Sequence, residues 1–421
     1  MNREGRKSLD ALTGARFLAA FWVLVYHFAI QFRFDRLPGK PPSSRALPLG
    51  LGPVILQGHL AVDFFFILSG FILAYTYAAS EGGMRGSRRE FWVARIARIY
   101  PVYLLGLALG LAQFLSTEHN LAIVAISGFT HLFMLHALFP VGLEWNQPSW
   151  SLGVEAFFYA FFPLALLLAG RLRRRGLWLL FFASWLVFIG IDLGLVMMTR
   201  NGFTSLPGWR DIARYDPLVS FPEFIAGMAL GLLFTRYGAS ALPLLRRLTA
   251  PLFDVLIIVT LAAYVGVLFV AARLDIRSTW VDALAPVSLP PLAAIILLLA
   301  FQRGMIVKLL SHPLIVWLGE ISYAVYILHK PVWYLLSAPL WTLLSAISMA
   351  TVGHVPSNTA LIIAFTVLVV LIAGLSFQFL ERPLRRAIRA RWGRPQSAEP
   401  IPVFPNMLRQ ALAPARRDQQ G

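Results

Sequence analysis

The 421-residue sequence contains no cysteine, which removes disulfides, thiolate nucleophiles and Cys-ligated metals from consideration at once. Charge is also scarce: only 14% of the residues are Asp, Glu, Lys or Arg, against 58% hydrophobic. A water-soluble domain of this length needs a larger charged surface, so lipid is the implied solvent. Nor does any stretch long enough to form a separate soluble catalytic domain remain between the apolar runs. Acidic residues are the scarcest charged type, with 20 Asp and Glu against 37 Lys and Arg, giving a net charge of +17. The arginines stand in short clusters between apolar runs and not along one amphipathic face, which speaks for membrane topology and against a nucleic-acid partner. The eight His show no spacing that suits a metal site.

What is present is a series of apolar runs, each long enough to cross a hydrocarbon core at about 1.5 Å per helical residue. Spans are predicted at Leu12 to Phe32, Gly58 to Ala78, Phe91 to Phe114, Trp150 to Gly170 and Leu177 to Met197. Further spans are predicted at Leu218 to Arg236, Pro251 to Ala271, Leu284 to Phe301, Pro313 to Leu336 and Ala360 to Leu380. An additional stretch, Leu121 to Phe139, is broken by Gly128, His131 and His136. The strongest basic loops are Arg3/Arg6/Lys7, Arg85/Arg88/Arg89, Arg171/Arg173/Arg174/Arg175, Arg246/Arg247, Arg303/Lys308 and the segment after Glu381. They fall on one side only if the broken stretch does not cross. The expected fold is therefore an all-α integral membrane protein of about ten transmembrane helices plus one re-entrant or interfacial helix, with both termini cytoplasmic. Arg33, Arg36, Lys40 and Arg45, in the long Pro-containing connection after the first span, run against this scheme. A membrane domain over residues 1–390 and a disordered cytoplasmic tail over 391–421 are expected, the tail on its Pro, Arg and Gln content. The first apolar run lacks a small-residue cleavage site and is read as a retained span.

Ionisable groups at membrane depth cost roughly 2.5 to 3.5 kcal/mol each on insertion scales, so each needs a partner, a cavity or a task. Arg16 and His27 lie eleven residues apart in the first span, about 16 Å of helix rise. GHLAVDFFFILSGF places Asp63 at a depth near that of His27, with Ser69 at mid-membrane. RRxFWVARIARIYP places Arg95 and Arg98 on one helical face. PSWSLGVEAFFY brings Ser151 and Glu155 in from the outer side, and GEISYAVYILHKP carries Ser322, Tyr323, Tyr326 and His329 inward. FLERPLRR puts Glu381 and Arg382 at the cytoplasmic surface. Guanidinium groups thus gather at the cytoplasmic mouth, and imidazole and carboxylates in a deeper layer. His131, His136 and His59 are expected at the interface.

A long phosphate-bearing donor such as an acyl-CoA suits that arrangement. The arginines would hold its phosphates bidentately, and the imidazole of His27 would deprotonate an acceptor hydroxyl. The blander reading of each group is a topology charge or an interhelical hydrogen bond, and the same charged layer would also serve a transporter or flippase of a polar lipid or glycan as a proton or substrate path.

The sequence resembles the membrane acyltransferase-3 family of multi-span O-acyltransferases over nearly its whole length. The resemblance rests on LDALTGARFLAAFWVLVYHF with its R-x10-H spacing, and on VDFFFILSGF, RIARIYP, WSLGVEAFFY, ISYAVYILHKP and FLERPLR in that order. It implies an acyl-CoA co-substrate, acetyl-CoA first among them, no metal, and O-acylation of a glycan, lipid or small-molecule acceptor in a bacterial plasma (inner) membrane. The family's essential Arg and His fall on Arg16 and His27, and its basic motif on Arg95 and Arg98. Its remaining motifs fall on Ser151 and Glu155, on Ser322, Tyr323, Tyr326 and His329, and on Glu381 and Arg382. The expected division of labour is catalysis by His27, Asp63 and Glu155, and donor binding by Arg16, Arg95 and Arg98. Ser69, Ser151, Tyr323, Tyr326 and His329 are expected to position substrate, and Glu381 and Arg382 to act structurally.

Overall fold

The architecture is that of a computed structural model, which describes residues 8–32, 51–79, 83–139, 145–201, 215–238, 245, 247–273, 284–352 and 358–393. The connection carrying Arg33 to Arg45, the tail beyond residue 393 and the basic residues before Ser8 lie outside the described residues. The described chain is helical with no strand, as the periodicity-free apolar runs require in a solvent that cannot satisfy open backbone groups.

The helices in chain order are α1 (Asp10–Phe32), the short α2 (Gly52–Ile55), α3 (Ala61–Tyr77), α4 (Arg88–Leu115), α5 (Leu121–Leu132), α6 (Trp150–Ala169) and α7 (Arg174–Arg200). They continue with α8 (Pro217–Tyr237), α9 (Ala250–Arg273), α10 (Ala285–Ala300), α11 (Met305–Leu310), α12 (Pro313–Val352), α13 (Asn358–Ser376) and α14 (Arg382–Trp392). Among the described residues, nine helices are long and apolar enough to cross a membrane. The predicted span at Leu284 to Phe301 is the 16-residue α10, about 24 Å long, so it falls short of that length criterion. The broken stretch forms the 12-residue α5, about 18 Å long and too short to traverse a hydrocarbon core of about 30 Å alone.

Two departures from the expected spans stand out. α12 does not end at Leu336 but runs for 40 residues through Pro331 and Pro339. At about 60 Å it is twice the thickness of a hydrocarbon core. His131 and His136 are buried within the protein. Met134 adopts a left-handed φ of 56° that reverses the chain after α5. The reversal stacks the two imidazoles at 4.3 Å, with the Trp145 ring 5.4 Å from that of His131.

Packing explains why the site helices meet as they do. Lipid tails give little hydrophobic drive for helix association, so close backbone approach through small residues carries much of it. Gly227 and Gly231 on α8 sit in a GxxxG spacing against α3. A Cβ at Gly227 would collide with the carbonyl oxygen of Ile67, and one at Gly70 with that of Phe224. α1 lies along α12 in the same way, with Gly319 against the carbonyl of Thr13. One turn beyond that crossing, Arg16 and Tyr323 face a common space. Aromatic rings fill the interior between α3, α6 and α8, with Phe66 against Phe158 at 5.3 Å and Phe158 against Phe224 at 4.6 Å.

Candidate active site

α4 begins at a capping box in which the Ser87 hydroxyl accepts from the Glu90 backbone N–H and the Glu90 carboxylate accepts from that of Ser87. This start fixes the register of the RIARIYP segment. Arg95 and Arg98 then project into a cavity of about 200 Å³ enclosed by α1, α3, α4, α6 and α12. The cavity gathers Arg16, Ser69, Arg95, Arg98, Ser151, Glu155, Tyr323 and Tyr326, together with Ser322. Apolar side chains of α3, among them Val62, Phe65 and Phe66, form one wall.

The guanidiniums in this chamber are not equivalent. Arg95 donates to the Tyr77 hydroxyl at 3.2 Å and lies 5.6 to 5.9 Å from the ring centres of Tyr77, Phe91 and Tyr159, a cation-π cage. Arg16 and Arg98 form no hydrogen bond or ion pair with any described residue, although both are half-buried. Glu155, Glu381 and Glu320 are carboxylates within electrostatic range of Arg16. The Glu155 carboxylate accepts from the Tyr159 hydroxyl at 2.8 Å. A guanidinium carries five donors and no acceptor, so two of them without protein acceptors make the chamber receptive to an anion.

The opposite end of α1 is organised differently. Arg16 and His27 differ by about 20° around the helix axis, so they share a face. Even so, His27 borders a second, smaller cavity with Phe28, His329, Lys330, Trp333 and Phe365. His27 Nδ1 and His329 Nε2 are 2.9 Å apart. Tyr326 stands between the two spaces: it lines the larger one, is 2.9 Å from Ser151 Oγ through its hydroxyl, and has its ring 6.1 Å from that of His329. The basic cluster and the imidazole therefore occupy adjacent chambers rather than one. Asp63 is half-buried and lines neither.

Other groups hold this frame. The Tyr323 hydroxyl donates to the Ile99 carbonyl at 2.8 Å and ties α12 to α4. A π-turn over Phe377–Glu381 ends α13 and buries Glu381. Just beyond it, the Arg382 guanidinium reaches the Glu320 carboxylate of α12 at 4.0 Å. Glu320, Tyr159 and Tyr103, which no motif singled out, belong to this frame, and Tyr103 is buried with His131 and His136. The Tyr103 hydroxyl donates to the His131 carbonyl at 2.7 Å, and His136 Nε2 lies 2.9 Å from the Ser149 carbonyl. The position of Tyr159 one turn after Glu155 was the available signal for that pair. Among the described residues no cluster of three or more His, Asp or Glu could hold a metal ion.

Long apolar helices around a cavity lined by three guanidiniums mark an integral membrane protein. A family model described as an acyltransferase domain matches residues 9–377, so the chain belongs to the acyltransferase-3 family. It is similar to the acyltransferase MdmB of Streptomyces mycarofaciens, at 28% identity over 408 residues covering 94% of this chain and 96% of that one. It is also similar to the “Putative O-acetyltransferase” of Staphylococcus aureus (strain COL), at 22% identity covering 96% of this chain. The chain spans 61% of the length of that staphylococcal relative. No solved structure matches. The protein is thus a membrane acyltransferase acting on groups other than aminoacyl.

Proposed function

We propose that the protein transfers a short acyl group, acetyl foremost, from acyl-CoA on the cytoplasmic side to a hydroxyl of a glycan, a lipid or a secondary metabolite. The reading includes residence in a bacterial plasma membrane with both termini cytoplasmic. The observation that carries it is the pair Arg16 and Arg98, half-buried guanidiniums without hydrogen-bond acceptors among the described residues, on a chamber that also has an apolar wall. Phosphates of the donor meet the guanidiniums, and the pantetheine arm with its thioester lies along the α3 side chains toward Tyr326. Arg95, caged by aromatic rings, contributes fixed positive charge at the same mouth.

His27 is the general base in this reading. Its Nδ1 lies 2.9 Å from His329 Nε2, a contact that orients the ring as it takes the acceptor proton. The acceptor oxygen then forms a bond to the thioester carbonyl carbon as the carbon–sulfur bond breaks, and the sulfur leaves as the CoA thiol with the proton that His27 removed. Glu155, paired with Tyr159, supplies the carboxylate of the chamber, and Tyr326 with Ser151 positions the reacting carbonyl beside the histidine pair.

The test uses purified protein with radiolabelled acetyl-CoA and envelope glycans, lipids or secreted metabolites as acceptors. Label should move to acceptor in the wild type and should not move with His27→Ala. Transfer at an undiminished rate by that variant removes His27 from the mechanism, and absence of label from every acceptor with retained acetyl-CoA binding leaves the acceptor class wrong. Mass spectrometry of the envelope with and without the protein names the acceptor by its mass increment.

A further inference from the structure

The arginines of α14 are turned the opposite way from those of a helix that only rests on a membrane surface. Arg382, Arg385 and Arg389 follow at intervals of three and four and share one face. That face is buried or half-buried, whereas Leu384, Arg386, Ala387 and Trp392 are exposed. A helix bound only to anionic headgroups would present its apolar side chains to the acyl boundary and direct its arginines outward to the headgroups. α14 instead packs on α4, with Gly393 close to Val93, and its inward arginines approach the Arg95/Arg98 end of that helix. Arg385 and Arg389 are both within electrostatic range of Arg95 and Arg98.

Gathering like charges in partly desolvated space is unfavourable unless anions accompany them. The carboxylates at hand are few. Glu320 is engaged with Arg382 and also lies within electrostatic range of Arg385, Arg16 and Arg98. Glu381 is shared among Arg16, Arg98 and Arg385, and Glu155 faces Arg16, Arg95 and Arg98, so three carboxylates serve six guanidiniums including Arg389. Arg98 and Arg385 form no hydrogen bond or ion pair with any described residue. Arg385 and Arg389 do not line the chamber itself, so the guanidiniums form two tiers, Arg16 and Arg98 within and Arg385 and Arg389 outside.

We infer that Arg385 and Arg389 form an outer phosphate subsite that holds the ribose-phosphate end of a CoA donor while the inner tier holds its diphosphate. This rests on the acyl-CoA reading above. It makes α14 a determinant of donor specificity: a nucleotide with the ribose phosphate engages both tiers, and one without it engages only the inner tier.

The experiment measures equilibrium binding of CoA and of dephospho-CoA, which lacks the ribose phosphate, to the full-length protein in nanodiscs of zwitterionic lipid. Wild type should prefer CoA by about tenfold or more, the scale of one charge-assisted contact. Arg385→Ala with Arg389→Ala should lower CoA affinity by about 10- to 100-fold and erase the preference, while the outward pair Arg386→Ala with Arg391→Ala should leave both unchanged. Equal binding of the two nucleotides by wild type overturns the proposal, as does full CoA affinity in the inward double variant. A binding defect that appears only when anionic lipid is added assigns the arginines to headgroups and also overturns it. Failure of wild type to bind any CoA defeats the donor assignment and this subsite together, and is told apart because it is read without any substitution. Arg385→Lys with Arg389→Lys preserves charge but not the bidentate fork, so an intermediate loss is expected and serves where the alanine pair is not monodisperse.

Discussion

His329 Nε2 lies 2.9 Å from His27 Nδ1, with the ring centres 5.0 Å apart, so helices distant in sequence present one imidazole to another at the end of α1. One nitrogen of the pair must donate and the other accept, which couples their tautomers. His329→Ala is expected to lower kcat by about 10- to 100-fold with little change in donor KM, because the variant leaves the phosphate-binding arginines untouched and releases the orientation of His27. His27→Ala is expected to lose about 10²- to 10⁴-fold, the range of a general base. Equal donor KM and unchanged kcat in His329→Ala would show that the pair is packing only.

The unequal surroundings of the arginines give a second expectation. Arg98→Ala and Arg16→Ala should raise donor KM by about tenfold or more, the scale of one lost charge-assisted contact. Arg98→Lys should recover only part, since an ammonium cannot form the bidentate fork. Arg95→Ala should cost thermal stability as well, because it removes the contacts with Tyr77, Phe91 and Tyr159. Steady-state kinetics beside melting curves separates the two kinds of loss, and identical behaviour of Arg95→Ala and Arg98→Ala in both would contradict the distinction.

Ser151 and Tyr326 pair through their hydroxyls at 2.9 Å, joining α6 to α12 at the wall between the chambers. Tyr326→Phe and Ser151→Ala should each reduce turnover, and the double variant should be no worse than the poorer single one. A coupling energy of about 0.5 kcal/mol or more in the double-mutant cycle is the expected result. Additive effects would mean that the two hydroxyls act separately.

Glycine contacts between α3 and α8 set a stability prediction. Gly227→Ala drives a Cβ onto the Ile67 carbonyl and should cost about 1–3 kcal/mol of overpacking, read as a lower melting temperature in detergent. Gly190→Ala on α7 meets no heavy atom within 4 Å and should be neutral or slightly stabilising. Equal behaviour of the two variants would remove close backbone approach as the reason for the glycine.

Depth was legible in the sequence and azimuth was not. The apolar runs and the charges between them give the positions of Arg16, Arg95, Glu155, Tyr323 and His27 along their helices, and eight of the expected residues line one chamber. Which groups face one another depends on how each helix is rotated against its neighbours, and that is settled by contacts such as Gly319 on Thr13, far apart in sequence. The partition of His27 from the arginines is of this kind. So is the burial of His131 and His136, which follows from a left-handed turn at Met134, a residue that carries no turn signal of its own. The length of α12 escaped for another reason: the expected span stops at Leu336, just before Pro339, yet the helix continues through that proline to Val352.

The side chain of Tyr326 acts as a septum between the basic chamber and the histidine pair. A partition one residue thick keeps the two spaces distinct while leaving the groups on its two sides close neighbours. A smaller side chain at Tyr326 would thin the wall between the two spaces and merge them into one.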